Sequence, residues 1–391
     1  MMDERYVRID GTQLSEALQL CTYVVEKRNT YPILAMVKLD YHDAVLTLTA
    51  TDLDIDLSVV CAPIGCGTAD WTICLPAHPL ASIARLAGSN GVVIRPNPSD
   101  ATKVQVSLDQ GDLFQEVSYD IDGLASDSFP DIRGKRGELI EIFGNGRMAE
   151  LLRRVSWAMS TEETRYYLNG VAWQVGGPLG RRLAATDGHR LALCSYDPID
   201  TAGQQLTRIL PIKLVGLLER LPMPNLNVFD VLSDAPGRAG LNAIEIDAGK
   251  VTIRAKLVEG TYPDIDRVIP KPSNHVARFE LPADRLAGAV DRALVLAEST
   301  KGGKMISFSR DEATGLIAVA NMTLDYGASK VVTPFAWPEG GVTFGANGRY
   351  LRDVLKSCAG KLQIKQIDAA APITILDEDG TMVRLLMPMR V

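Results

Sequence analysis

The 391 residues hold only four histidines, His42, His78, His189 and His275, spread widely along the chain. That leaves little material for a histidine-built metal centre, and no HExxH pair occurs. The six cysteines, Cys21, Cys61, Cys66, Cys74, Cys194 and Cys358, form no CxxC pair, so they read as reduced, mostly buried thiols. No run approaches the 18 or so apolar residues of a membrane span. The start, MMDERYVRID, is charged from its third residue with no apolar stretch of a signal peptide behind it. A cytoplasmic protein without membrane association is expected.

Signatures of enzymes are missing too. Neither GxSxG nor a GxGxxG that opens a helix after a strand is present. STKGGKM contains Gly303-Lys304, but Glu298 stands where a phosphate loop needs glycine, and Met305 where it needs serine or threonine. No cofactor, no metal site and no catalytic residue is therefore expected.

What the chain does have is ordinary globular composition, 46% hydrophobic and 23% charged. Its length suffices for two or three cores. It also has an internal repeat. LTATD at 48–52 and LAATD at 183–187 are 135 residues apart, and 135 residues further on the degenerate copy AVAN begins at Ala318. Each lies in a strand-like run, and a helix opens about 25 residues later, at LPAHPLASIARLA, LPIKLVGLLERL and ANGRYLRDVLKS. Upstream of each run sits another segment with apolar residues at i, i+3, i+4 and i+7: LSEALQLCTYVV, MAELLRRVSWAM and LAGAVDRALVLA.

Between helices the period changes to two, as in AVLTLTATDLDIDLSVV and NAIEIDAGKVTIRAKLV. The expectation is an α+β fold of three repeats, each with two helices on antiparallel sheet. The domains are placed at 1–136, 137–270 and 271–391, with linkers in DIRGKRGEL and VIPKPSNH.

Net charge is −7, which argues against nucleic-acid binding unless the charge is segregated. It is: the six helical segments together carry +5 and the remainder −12. Arginine and lysine are good helix formers, which alone accounts for part of this. The alternative is that the helices form an electropositive face that attracts phosphates without reading bases.

In LAATDGHRLAL, the run Asp187-Gly188-His189-Arg190 has the look of an active-site loop, and a hydrolase or nuclease using Asp187 and His189 is one reading of it. Five segments in order suggest another. TRYYLNG, ATDGHRLAL, KLVEGTYPDIDRVIPK, TYPIL followed by LTLTATDLDIDL, and the terminal MPMRV resemble the bacterial DNA polymerase III beta subunit, the sliding clamp, across essentially the whole chain.

That resemblance implies three clamp domains per chain and a homodimer, two chains closed head to tail into a ring. The ring would encircle double-stranded DNA without sequence preference and tether the replicative DNA polymerase, serving the clamp loader and other proteins with clamp-binding motifs as well. It implies no bond-making step; a specialised clamp paralogue is a further alternative. DNA contacts would come from Lys27, Arg28, Arg85, Arg153, Arg154, Tyr166, Lys213, Arg292, Arg352 and Lys356, and the dimer interface from Tyr119, Ile121, Val295 and Leu296. Glu162 and Glu163 of STEET depart from the pattern by placing acid beside the duplex.

By the same resemblance, apolar-rich partner peptides would enter a groove lined by Arg165, Tyr167 and Leu168, by Thr186, Gly188, His189, Arg190 and Leu191, and by Pro263, Arg267 and Val268. Asn347 and Tyr350 would join from the third repeat, with Leu385, Met387, Pro388, Met389 and Arg390 from the C-terminal end. Methionines suit a site shared by many ligands, because their flexible thioether chains adapt to different side chains.

Overall fold

The computed structural model describes residues 5–26, 30–109, 117–130, 132, 134–177, 179–197, 201–221, 225–232, 242–298, 304–323 and 325–390. Lys27 and Arg28 lie outside them.

Among the described residues six α-helices form, two per repeat as the periodicity predicts: α1 (Gly11–Val24), α2 (Ala77–Ala87), α3 (Arg147–Val155), α4 (Ile212–Arg220), α5 (Ala283–Glu298) and α6 (Gly348–Lys356). Asp10 caps α1 by accepting from Gln13 N at 3.0 Å, and Asn347 caps α6 by accepting from Arg349 N at 3.0 Å. Helix α1 buries Leu14, Ala17, Leu18, Cys21 and Val24, one stripe at helical spacing. No described helix is long and apolar enough to cross a membrane.

The chain divides into two compact units, residues 1–148 with 216–257, and residues 149–215 with 258–391. The first contains two antiparallel sheets. Its five-stranded sheet ends on the strand Val117–Asp122; its eight-stranded sheet pairs Val251–Lys256, from the middle repeat, with Ile55–Cys61, from the first, Val251 opposite Val59. The second unit repeats the scheme. Arg190–Asp197 pairs with Met382–Leu386, Leu191 opposite Leu385, and Gly327–Ala336 forms one edge of a five-stranded sheet.

The middle repeat thus contributes strands to both units, a division of the chain different from the three repeats of the sequence. Continuous ladders carry the core across repeat boundaries, since each backbone donor and acceptor inside a sheet must find a partner.

In the second unit α5 and α6 pack closely. A Cβ at Gly348 would stand 2.5 Å from a Leu294 methyl. Beneath them Phe308 and Phe344 stack at 4.7 Å, within a core that includes Leu286, Val290, Leu351 and Val354. Arg384 is fully buried among these elements: it donates to Asp377 at 2.6 Å, and to the Ser357 hydroxyl at 2.8 Å and carbonyl at 2.9 Å. The end of α6 is thereby tied to the sheet that carries Leu385.

Candidate functional site

The strand ending LAAT and the strand beginning RLAL are joined by a turn built from its own side chains. Thr186 Oγ1 donates to the Arg190 carbonyl at 2.7 Å, and Asp187 Oδ1 accepts from His189 N at 2.9 Å and Arg190 N at 3.0 Å. Asp52 does the same in the first repeat, accepting from Asp54 N at 3.0 Å and Ile55 N at 2.7 Å. In the third repeat Met322 occupies that register and is exposed.

The second carboxylate oxygen of Asp187 accepts from Arg190 Nε at 3.0 Å. Arg190 also donates Nη1 to Asp353 at 2.6 Å, and its guanidinium stacks 4.6 Å from the Tyr350 ring and 5.5 Å from Trp157. The His189 ring faces Tyr350 at 6.2 Å. Asp187 is thus committed to backbone amides and to Arg190, with no oxygen turned to the imidazole. The hydrolase or nuclease reading of Asp187 and His189 fails on this geometry, because a general base must be oriented by the group that assists it.

The turn forms one wall of a groove of about 270 Å³. Leu168, Leu191, Ile265 and Leu385 are buried beneath it with Ala172, Ala184 and Ile209, so its floor is continuous with a hydrophobic core. Tyr167, Pro263, Val268, Pro372 and Met387 rise around the floor, Val268 and Met387 half exposed at 52% and 43%. Met387 N donates to the His189 carbonyl at 2.8 Å, which ties the C-terminal segment to the turn.

The PDIDRV side is held from behind. Buried Arg182 donates to both oxygens of Asp266, at 2.8 and 2.9 Å, and to Gln174 at 2.7 Å. These bonds keep the Asp266 carboxyl below its ordinary pKa. At the other rim Arg165 donates Nε and Nη2 to one oxygen of Glu162, at 2.9 and 2.6 Å, which raises the guanidinium pKa.

Twelve of the eighteen expected groove residues line this cavity: Arg165, Tyr167, Leu168, Thr186, Gly188, His189, Arg190, Leu191, Pro263, Val268, Leu385 and Met387. The other six stand apart from its lining. Arg267 points into solvent and pairs with Asp264 at 3.0 Å. Asn347 is the cap of α6, and Tyr350 stacks behind His189. Pro388 and Met389 pair as a short strand with Ala346 and Gly345, and Arg390 follows them, exposed.

Asp264, Ile265 and Pro372 line the groove without having been singled out. The first two sit inside the YPDIDRV segment itself. Pro372 has no local signal; it arrives because Ile373 pairs with Leu386.

Of the expected DNA contacts among the described residues, Arg85, Arg153, Arg292 and Lys356 are exposed, and so is Tyr166. Lys213 is half buried. Arg154 is drawn to Thr381 at 3.0 Å and Asp377 at 3.5 Å, and Arg352 bridges Asp291 and Glu298, each at 2.8 Å. Tyr119 and Ile121 lie half buried on one face of the edge strand Val117–Asp122. Val295 is exposed on α5, with Leu296 half buried beside it.

Comparison with known proteins identifies the family. Residues 6–132 match the family model of the DNA polymerase III beta subunit, N-terminal domain, and residues 144–264 that of its central domain. The chain is 28% identical over 394 residues to the beta sliding clamp of Pseudomonas aeruginosa, covering 98% of this chain and 99% of that protein. It is 26% identical over 390 residues to the beta sliding clamp of Escherichia coli K12, with the same coverage. Among solved structures, a DnaN sliding clamp from Pseudomonas aeruginosa bound to griselimycin superposes with a TM-score of 0.86 at 26% identity, over 99% of this chain and 100% of that one. A DnaN sliding clamp from Bartonella birtlesii, also bound to griselimycin, gives 0.83 at 27% over the same shares. The chain belongs to the DNA polymerase III beta subunit family.

Proposed function

We propose that this chain is a DNA sliding clamp. Two copies close head to tail into a ring around duplex DNA, and the groove beside His189 holds apolar-rich segments of the replicative polymerase, the clamp loader and other partners. The observation that carries this reading is the similarity to beta sliding clamps over 98% of the chain. The protein works in the cytoplasm and makes and breaks no bond; its contribution is to convert polymerase rebinding into an intramolecular event at high effective concentration. The three repeats, 1–136, 137–270 and 271–391, are its clamp domains.

Exposed cations such as Arg85 and Arg153 contact phosphates weakly and exchangeably, as sliding requires. The edge strand bearing Tyr119 and Ile121 meets a partner copy near Val295 and Leu296. Unpaired edge amides and carbonyls supply the hydrogen bonds for that contact.

The test is topological. Loaded onto nicked circular DNA by a clamp loader, the protein should co-elute with the circle and be released when the circle is linearised. Equal retention on both forms, or none on the circle with a loader that loads a control clamp, overturns the reading.

A further inference from the structure

At one rim of the groove a carboxylate, a guanidinium and a glycine form a single device. Two of the three guanidinium nitrogens of Arg165 are taken by Glu162. The third, Nη1, has no hydrogen-bond partner among the described residues and lies over Gly188, where a Cβ would stand 2.6 Å from it. Gly188 stands at φ 88°, a left-handed conformation that Leu53, at the matching position of the first repeat, adopts at 79°. A side chain at 188 would carry the strain of that φ and would also press on the flexible end of the overlying arginine.

Glu162 is itself positioned. Its amide donates to Ser160 Oγ at 3.1 Å, and its carbonyl accepts from Asn169 Nδ2 at 3.1 Å. Arg165 is therefore pre-oriented, with one donor edge aimed into the groove and its charge balanced by the carboxylate beside it.

We propose that Glu162 sets the specificity of the groove: by holding Arg165 across Gly188 it turns a cationic rim into a neutral hydrogen-bond donor. The matching partner group is then a neutral carbonyl oxygen, and a carboxylate at that point gains nothing over its amide. This inference rests on the groove being the partner-binding site.

The experiment uses the full-length protein and a series of apolar peptides in which each position flanking the apolar core is in turn Glu or Gln, with affinities read by fluorescence anisotropy. Wild-type protein should bind the two members of every pair within about twofold, and Glu162→Gln should favour the Glu member of at least one pair by about threefold to fivefold at low salt, the range of an exposed charge pair. That preference should fade in high salt, which a merely structural loss would not reproduce. Unchanged ratios in Glu162→Gln, or a wild-type preference for the carboxylate, overturn the proposal while the groove stands. Peptide binding that Leu191→Arg leaves undiminished overturns the groove instead. Gly188→Ala provides a second variant: it should displace Arg165 and weaken every peptide alike, and unchanged affinity would contradict the close approach.

Discussion

Arg190 Nη1 lies 2.6 Å from Asp353 Oδ2, joining the turn of the middle repeat to helix α6 of the third. The bond carries the wall of the groove, because the same guanidinium also grips Asp187 and stacks on Tyr350, against which His189 rests. Asp353→Ala should leave Arg190 its Asp187 partner, at a cost of about 0.5–1 kcal/mol for a partly exposed pair. Arg190→Ala removes packing and charge together and should cost about 2 kcal/mol or more. A double-mutant cycle in urea, followed by tryptophan fluorescence, measures the coupling; a value near zero would mean that the stack, not the ion pair, orients the turn.

Deleting residues 387–391 removes the Met387 wall and the short strand at Pro388–Met389 while leaving Met382–Leu386 in its sheet. Binding of an apolar clamp-binding peptide should be lost while the dimer persists by light scattering. Full affinity in the truncated protein would place the partner site elsewhere.

Asp311 is held by Lys330 at 2.5 Å and by Thr314 at 2.8 Å, which depresses its carboxyl from the ordinary 3.8 to about 2. A depressed folded-state value contributes stability that is full above the unfolded value and fades as pH falls from about 4 toward 2. Asp311→Asn should therefore lower the melting temperature at pH 7 and flatten its decline between about pH 4 and 2. An equally steep acid decline in the variant would show that other carboxylates govern that range.

Charge reversal at Arg85 and Arg153, both exposed, should shorten retention on circular DNA and weaken its salt dependence. Arg352→Glu, which breaks two ion pairs, should act chiefly on stability instead. Retention unaffected by the first two changes would remove those helices from the DNA path.

The six helices were legible because a 3.6-residue apolar period is a local property, and the 135-residue repeat multiplied it. The Asp52 and Asp187 turns are local in the same sense: an aspartate that accepts from amides two and three residues on needs nothing from the rest of the chain. Most of the groove could be named because its residues cluster in three short segments and a terminus that also mark the family.

Other features depended on distant partners. The sequence carried the cations Arg154 and Arg352 but not the carboxylates, more than 200 and up to 61 residues away, that occupy them. It carried Asn347 as a polar residue at a helix start, and the structure makes it the cap of α6. Pro372 entered the wall, and the middle repeat divided its strands between two units, through inter-strand registers that join residues far apart in sequence. By itself the sequence determined periodicity, turn chemistry and the distribution of charge, all set by near neighbours. Only the tertiary structure decided which side chains meet, because sheet pairing satisfies backbone groups across long loops and no local spacing encodes its register.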